Sequence, residues 1–329
     1  MKRTVFLFLD SRGMGGVETH VLTLARSLRQ RGDHVVVLFW QRYGAHPMIP
    51  ELVSEGISFK LLKGKFSHLL QLLYRNPHSV LHTHGYKANI LGRMAAALLF
   101  RRCVSTFHNG DLGEGKLRLY TWLDLASAFM SKNIAVSQEI SQRIFAKNRL
   151  IPNYVRLPSL SVAPQRCAIA FVGRLEQVKR ADRFIDLARR FPSHEFHVYG
   201  EGSQRLSLQS NSPKNVQFRG FVADMAGVWR NIDLMIICSD TEGLPLCALE
   251  AMSYEVPVVA RPVGDLPVLI NDGVNGYIRD SNDELAEGIA RWLALTPSQK
   301  QVVRQNARQT IGEHFSEERC LSALLTEYC

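Results

Sequence analysis

Apolar runs separated by glycine-rich turns organise the first half of the chain. Residues 4–10, "TVFLFLD", form one apolar run, which predicts a buried β-strand. The turn "SRGMGG" follows, and apolar residues then recur at helical spacing from Val21 to Leu28. A second apolar run at residues 32–40 predicts the next strand. The order strand, glycine turn, helix, strand is typical of a parallel Rossmann-type unit.

The alternation of predicted strands and helices continues to residue 155, is interrupted by a linker, and resumes after it. Further strands are predicted at 79–85, 103–110, 132–137 and 149–155, and a Pro- and Ser-rich linker follows at 156–166. Beyond it the strand predictions are 168–173, 195–202, 215–220, 234–240, 256–264 and 275–278, and helices run to the end. The pattern predicts an α/β protein of two doubly wound halves, with ligands at the carboxyl ends of the strands and a crevice between the halves.

Length, charge and cysteines narrow the function classes. A chain of 329 residues fits two domains, and no apolar run approaches the roughly 20 residues that span a bilayer. The six cysteines show no CxxC or metal-ligand spacing, which indicates free thiols in a reducing cytoplasm.

Residues 1–155 hold 21 Lys and Arg against 9 Asp and Glu, whereas the remainder holds 19 Lys and Arg against 21 Asp and Glu. The first half therefore predicts an anionic partner, such as an anionic membrane, or simply a solvated basic surface. Nucleic acid ranks lower because no binding motif is present.

Two glycine turns are candidate anion sites. Gly13, Gly15 and Gly16 follow the first strand, where glycine lets a helix N-terminus approach a phosphate. Glu18 stands where the dinucleotide motif needs its third glycine, and a plain tight turn stays an open alternative. In the second half Gly173 and Arg174 end a strand, with Lys179 nearby. The two cations suit a diphosphate, although solvated surface residues would explain them as well.

Histidines mark two further strand ends. His82 and His84 share one side of a strand, and His108 precedes Asn109 in the loop after the next one. A metal site would need more ligands at suitable spacing, and the sequence shows none. We therefore expect hydrogen-bonding roles and no metal, with His108 the best functional candidate. A purely structural histidine remains the alternative for His84.

Residues 239–252, "SDTEGLPLCALEAM", place Glu242 and Glu250 on either side of an apolar run. Glu242 and Gly243 follow a predicted buried strand, and a helix is predicted from about Leu246, whose N-terminus favours a phosphate. Glu250 falls about two turns along that helix, where a carboxylate can accept hydrogen bonds from both hydroxyls of a ribose. The alternative is a pair of solvent-facing glutamates.

Together these stretches resemble the retaining family-4 glycosyltransferases of the GT-B fold. The resemblance covers nearly the whole chain and is strongest over residues 168–278. Its most specific motif is the E-x7-E segment "EGLPLCALE". The segments "GGVET", "FVGRLEQVK", "YGEGS", "TFHNG", "IPNYV" and "NDGVNGYI" also resemble the family's motifs.

The resemblance implies roles for individual residues. Catalytic roles would fall to His108 and Glu242 at the donor sugar and to Arg174 and Lys179 at the leaving diphosphate. The implied donor-binding residues are Gly15, Gly16, Gly173, Gly243, Leu244, Pro245, Leu246, Cys247 and Glu250, with Arg219 and Phe221 framing the base. The resemblance further implies an acceptor-binding domain at 1–155, a linker at 156–167, a nucleotide-sugar-binding domain at 168–310, and a C-terminal helix at 311–329 that packs back on the first domain.

Several positions depart from the family pattern. Asp265 stands where a second glycine is usual, and Val268 stands where glutamate is frequent. Tyr154 replaces a glycine in "IPNYV", and Glu255 replaces another glycine. Because Asp265 and Val268 would border the sugar pocket, the identity of the sugar stays open.

The expected function is transfer of a sugar from a nucleotide diphosphate sugar to an acceptor hydroxyl with retention of configuration. UDP-sugars are favoured over GDP-sugars, and the sequence has no D-x-D motif that would require a metal. The basic first half favours an anionic or lipid-linked acceptor, such as a lipopolysaccharide, for a cytoplasmic enzyme at the inner membrane face. Residues 66–74 could form an interfacial helix or a core-facing one. A sugar-nucleotide epimerase, a non-catalytic binding partner and a dinucleotide-dependent oxidoreductase are the alternatives, the last disfavoured by Glu18.

Overall fold

The computed structural model describes residues 3–108, 115–160 and 166–329. It divides into two compact units, Met1–Asn153 with Glu317–Cys329, and Tyr154–Ser316. The division falls at residues 153 and 154, so the described residues of the predicted linker, 156–160 and 166–167, lie in the second unit.

In the first unit the described residues form one parallel sheet of seven strands. They are β1 (Thr4–Leu9), β2 (His34–Phe39), β3 (Ser58–Leu61), β4 (Val80–His84), β5 (Arg102–Phe107), β6 (Lys132–Ala135) and β7 (Asn148–Leu150). Their order across the sheet is β3-β2-β1-β4-β5-β6-β7, and every neighbouring pair is parallel. The central strands are buried on both faces, which is why they read as continuous apolar runs in the sequence.

Helices connect these strands. They are α1 (Gly16–Gln30), α2 (Met48–Ser54), α3 (Phe66–Arg75), α4 (Tyr86–Leu98), α5 (Lys116–Ala126), a 3₁₀ helix (Ala128–Met130) and α6 (Gln138–Arg143). In α3, Leu69 and Leu73 are fully buried, and Leu70 and Leu72 pack against the same core. The core therefore explains the leucines of residues 66–74, and the structure favours the core-facing interpretation of that segment over the interfacial one.

The second unit contains a parallel sheet of six described strands. They are β8 (Ala168–Val172), β9 (Glu195–Tyr199), β10 (Val216–Gly220), β11 (Ile232–Ile237), β12 (Val258–Ala260) and β13 (Gly276–Ile278), in the order β10-β9-β8-β11-β12-β13. Alternate residues of β11 belong to two cores, because successive side chains point to opposite faces. Leu234 and Ile236 pack into one core, and Met235 and Ile237 pack into the other.

The helices of the second unit cover both faces of this sheet, and one more helix closes the chain. They are α7 (Ala181–Arg190), α8 (Arg205–Ser210), α9 (Ala226–Trp229), α10 (Leu246–Ser253), α11 (Leu266–Leu269), α12 (Asn282–Ala294), α13 (Pro297–His314) and α14 (Glu317–Glu327), with a 3₁₀ turn at Gln177–Lys179. The last of them, α14, belongs to the first unit. Two Rossmann-like α/β units confirm the predicted fold class.

Candidate active site

Four histidines cluster at the carboxyl ends of β4 and β5 in the first unit. His82 and His84 lie on β4 with their ring centroids 4.2 Å apart, which agrees with the expected shared side. The Nδ1 atom of His84 is 3.1 Å from the Nε2 atom of His108, which follows β5 directly. His20 of α1 completes the cluster, with its ring 4.8 Å from that of His108. The structure therefore assigns the hydrogen bonds that the sequence suggested and adds a fourth histidine.

Burial keeps these imidazoles neutral. It lowers the pKa of His20 to about 4, partly offset by a hydrogen bond with Asn153. Burial, reinforced by the neighbouring histidines, also holds the pKa values of His82, His84 and His108 well below the usual 6.5. At neutral pH the predicted functional residue His108 is thus an uncharged hydrogen-bonding group.

Three of these histidines also have the spacing of metal ligands. Nitrogen atoms of His20, His84 and His108 lie within 4.8 Å of one another. Among the described residues, this is the one group of three or more possible metal ligands that lie so close together. The sequence analysis did not include His20 among the candidate ligands because it lies on α1, far along the chain from His84 and His108. A hydrogen bond already joins His84 to His108, and the expectation of a site without a metal stays a prediction.

The first glycine turn ends at the N-terminus of α1. Gly15 is the N-cap residue and, as a glycine, offers no side chain to cap the helix. A Cβ atom added to Gly16 would meet nothing within 4 Å. Space is therefore open beside Gly16, whereas a Cβ atom on Gly15 would lie 3.1 Å from the Glu18 carboxylate, which adds a negative charge to the first turn.

In the second unit Lys179 and Glu242 form a tight ion pair. The Nζ atom of Lys179 lies 2.6 and 2.7 Å from the two carboxylate oxygens of Glu242. The Ser239 hydroxyl donates a further hydrogen bond of 2.6 Å to the same carboxylate. The Glu242 side chain is only 8% exposed, whereas that of Lys179 is 23% exposed. The ammonium group keeps one N–H for a further acceptor.

Close backbone packing holds the loop that carries Gly173 and Arg174. Gly200 adopts a φ of +138°, and a Cβ atom there would lie 1.9 Å from the carbonyl oxygen of Gly173. Only glycine satisfies both constraints. Arg174 is exposed, and its charge helps to lower the pKa of the nearby Glu176 carboxyl. The role of this guanidinium at a diphosphate stays a prediction.

Helix α10 begins four residues after Glu242, at the end of the loop that follows β11. Pro245 is its N-cap, and residues 243–247 lead into its first turn, where backbone N–H groups lack intrahelical partners. Gly264 packs against the backbone of Glu242 and Gly243, which fixes the entry to the helix. The apolar residues Leu244 and Leu246 are buried and anchor it to the core.

Glu250 lies one turn into α10, closer to its start than the sequence suggested. Burial raises its pKa to about 7, and the nearby charge of Asp224 adds to the effect. The Cys247 thiol lies near enough to Glu242, Lys179 and Glu250 for each charge to influence its pKa. All three predicted residues therefore lie within electrostatic range of one thiol.

Arg219 and Phe221 lie at the end of β10. A guanidinium nitrogen of Arg219 is 3.5 Å from the Nε2 atom of His197, and Phe221 is half exposed. Among the described residues, no hydrogen bond joins either of them to the Lys179–Glu242 pair. Their predicted role beside a base stays a prediction.

Two family models together cover most of the chain. "Glycosyltransferase Family 4" matches residues 14–157, and "Glycosyl transferases group 1" matches residues 160–310. The chain therefore belongs to the family 4 glycosyltransferases. The motifs in both units that predicted the family lie within these two matches.

Two curated relatives illustrate the match. The chain is 29% identical over 192 residues to the D-inositol 3-phosphate glycosyltransferase of Mycobacterium marinum, covering 52% of this chain and 40% of that protein. It is 24% identical over 274 residues to the UDP-Gal:alpha-D-GlcNAc-diphosphoundecaprenol alpha-1,3-galactosyltransferase of Escherichia coli, covering 71% and 70% of the two chains. The glycosyltransferase chain thus spans less than half of the first relative and about two thirds of the second.

Solved structures support the fold. The crystal structure of Anabaena HepE in complex with UDP-glucose superposes with a TM-score of 0.85 at 18% identity, covering 98% of this chain and 99% of that one. At that identity the likeness establishes the GT-B fold of this glycosyltransferase. None of the helices in its described part has the length and apolarity of a membrane span.

Three residues of the glycosyltransferase escaped the sequence analysis. His20 gave no signal because a single histidine on an amphipathic helix looks like any half-buried residue. Ser239 precedes Glu242 by three positions, a spacing that suits a turn hydrogen bond. Asp224 approaches Glu250 from another loop, and only the folded chain shows this.

Proposed function

We propose that the chain transfers a hexosyl group from a UDP-sugar to an acceptor hydroxyl with retention of configuration. The observation that supports it best is the grouping of Lys179, Glu242 and Glu250 at the N-terminal turns of α10. A cation, a helix N-terminus and a carboxylate match the diphosphate and ribose of a nucleotide sugar.

The reaction breaks the bond between the anomeric carbon and the β-phosphate oxygen, and forms a bond from that carbon to the acceptor oxygen. The acceptor proton passes to the departing phosphate. Arg174, Lys179 and the outward N–H groups of α10 would stabilise the negative charge that develops on the diphosphate. Charge stabilisation of this kind needs no metal ion, and metal independence is part of the proposal.

Glu242 would serve two purposes in this scheme. Its carboxylate positions the Lys179 ammonium and, by the family resemblance, contacts a hydroxyl of the donor sugar. His108 of the first unit would accept or donate a hydrogen bond to the donor sugar as a neutral imidazole. These roles stay predictions until variants are measured.

The acceptor is proposed to be a lipid-linked or otherwise anionic saccharide. The first 155 residues carry the excess of Lys and Arg, and the relative from Escherichia coli is named for a diphosphoundecaprenol acceptor. Such an acceptor would place the enzyme at the inner face of the cytoplasmic membrane.

Lys179→Met tests the donor site. UDP release from a panel of UDP- and GDP-sugars would identify the donor, and kcat/KM for that donor should fall by about 10²- to 10³-fold in the variant. Lys214→Met, which removes an exposed lysine of the same unit, serves as the matched control and should leave the rate unchanged. An unchanged rate in Lys179→Met would refute the proposed diphosphate site.

A further inference from the structure

Helix α5 has its polar and apolar faces reversed. The inward-facing residues Thr121 and Asp124 are 7% and 2% exposed. Asp124 accepts a hydrogen bond of 2.6 Å from the buried guanidinium of Arg93 and one of 3.1 Å from the amide of Asn89. A buried ion pair therefore occupies the side of α5 where apolar residues are usual.

The outward side of α5 is apolar. Leu119, Trp122 and Leu123 are 61%, 54% and 46% exposed, and Ala126 is exposed as well. Their spacing of i, i+3, i+4 and i+7 gives one continuous stripe along the helix. Isolated exposed leucines are ordinary, but a stripe that includes a tryptophan indicates a surface with a partner.

The stripe continues on neighbouring elements. Phe129, 79% exposed, lies in the 3₁₀ helix that follows α5, and Phe100, 95% exposed, lies just before β5. Strands β5 and β6 pair in parallel, with Val104 opposite Lys132, so the residues that precede them lie at the same edge of the sheet. Leu98 ends α4, which packs beside α5.

We name this surface the apolar face. Its residues are Leu98, Phe100, Leu119, Trp122, Leu123 and Phe129.

Exposed cations accompany the apolar face. Arg118 lies on α5, while Arg102 and Lys132 are the first residues of β5 and β6. In the described part of residues 86–138 the single acidic residue is Asp124, which is buried against Arg93. Within this described segment the exposed charges are therefore all positive.

We propose that the apolar face docks the first unit on a bilayer that contains anionic phospholipid. Tryptophan and phenylalanine beside Arg and Lys suit the boundary between headgroups and acyl chains, where the rings bury apolar surface and the cations attract anionic headgroups. A soluble anion would not need the apolar stripe, and an apolar protein partner would not need the cations Arg102, Arg118 and Lys132 beside it.

This inference deepens the proposed function, because it rests on a lipid-linked acceptor and names the surface that brings the enzyme to it. It also replaces residues 66–74 as the candidate membrane element, since the leucines of α3 lie in the core.

Trp122 gives a direct measurement. The other three tryptophans, Trp40, Trp229 and Trp292, are 7% exposed or less, so Trp122 is the tryptophan that a bilayer would contact. Vesicles of phosphatidylcholine with about one third phosphatidylglycerol, a fraction that gives the surface the negative potential to attract Arg and Lys, should shift the tryptophan emission to shorter wavelength. Brominated acyl chains should quench it. Trp122→Phe should lose this signal and still co-sediment with the vesicles.

Charge substitutions test the apolar face itself. Leu119→Glu and Trp122→Glu should each lower vesicle partitioning by about 10-fold or more, because each places a carboxylate where apolar surface would be buried. Leu206→Glu is the matched control, since this leucine on α8 of the second unit is 82% exposed and should tolerate the change. Release of UDP from the donor sugar, measured without vesicles, should be the same in all three variants.

The outcomes separate the surface from the reaction. Vesicle binding that Trp122→Glu abolishes supports the apolar face, even if no donor sugar is consumed. If the wild-type protein consumes the donor sugar but binds neither anionic nor neutral vesicles, the membrane-docking proposal is refuted and the transferase proposal stands. The membrane-docking proposal is also refuted if the protein does not bind vesicles and light scattering shows a dimer that Leu119→Glu dissociates. The apolar face would then bind a second copy of the chain.

Discussion

Glu250 shows how one carboxyl group acquires a pH-dependent role. It lies on α10, partly buried, and burial raises its pKa to about 7 from an ordinary value of 4.5. Because the folded-state pKa is the higher one, the contribution of Glu250 to stability is lost as pH rises from about 4.5 to about 7. The ionised form that can accept from both ribose hydroxyls thus appears only near neutral pH.

The affinity for UDP-glucose should therefore rise with pH. Between pH 6 and pH 8 the ionised fraction of Glu250 increases by roughly 10-fold, and we expect a similar gain in affinity by calorimetry. The diphosphate diester of UDP-glucose does not titrate in this range. Glu250→Gln should bind more weakly with a flat pH profile, and a variant that keeps the wild-type profile would contradict the ribose role.

At the scale of elements, the candidate site residues are held in place by close contacts between loops and helices that lie far apart in the sequence. The turn at Gly200 lies against the backbone of Gly173, and α14 returns to the first unit, where the Tyr328 hydroxyl lies 2.7 Å from Nδ1 of His82. Each contact holds a loop or strand end that carries a candidate residue. Substitutions at these contacts should act on the site without touching a ligand.

Gly200→Ala should displace the loop of Gly173 and Arg174. The new methyl group would overlap the Gly173 carbonyl oxygen, so we expect a fall in melting temperature together with weaker binding of UDP-glucose. Gly227→Ala is the control, because a Cβ atom there meets nothing within 4 Å. Equal behaviour of the two variants in thermal-shift and calorimetric measurements would show that the loop contact is unimportant.

Tyr328→Phe should destabilise the first unit. The change removes the hydrogen bond to the buried His82 and leaves its ring nitrogen without that partner, at a cost of about 1–3 kcal/mol. Urea unfolding followed by circular dichroism would measure it. Tyr74→Phe, at a tyrosine that is 71% exposed, should have no effect, and a Tyr328→Phe protein as stable as this control would disprove the role of α14.

At the scale of the whole molecule, charge is divided unevenly between the two halves of the chain. The first 155 residues carry the positive excess, and the remainder is slightly acidic overall. Two cations of the second unit bear on the proposed donor site: Lys179 is paired with Glu242, and Arg174 is exposed. This distribution fits a donor site that supplies its own cations and a basic unit that meets an anionic surface.

Chelation should consequently leave donor turnover intact. We expect the same rate of UDP release with and without EDTA, because side-chain cations and helix N–H groups stabilise the diphosphate. Loss of activity in EDTA that Mn²⁺ or Zn²⁺ restores would instead implicate a metal, and His20, His84 and His108 would be the first residues to substitute.

Much of the fold was predictable because strands buried on both faces leave long apolar runs. Strands β1, β4, β8 and β11 stand out for this reason. Strand β3 was missed, since "SFKL" is short and half exposed at the edge of the sheet. The glutamates of the E-x7-E segment, together with Arg174 and Lys179, were found because glycine turns after strands mark the carboxyl edge of a sheet.

The sequence by itself determined the two α/β halves, the charge division and the family, because these depend on patterns that neighbouring residues carry. Only the tertiary structure decided which histidines meet, that Lys179 pairs with Glu242, and that α5 turns Leu119, Trp122 and Leu123 outward. Periodicity shows that apolar residues share a helix face, but what lies against that face depends on strands and helices distant in the chain. For α5 the deciding partner is the buried guanidinium of Arg93, which draws Asp124 inward and leaves the apolar side to the surface.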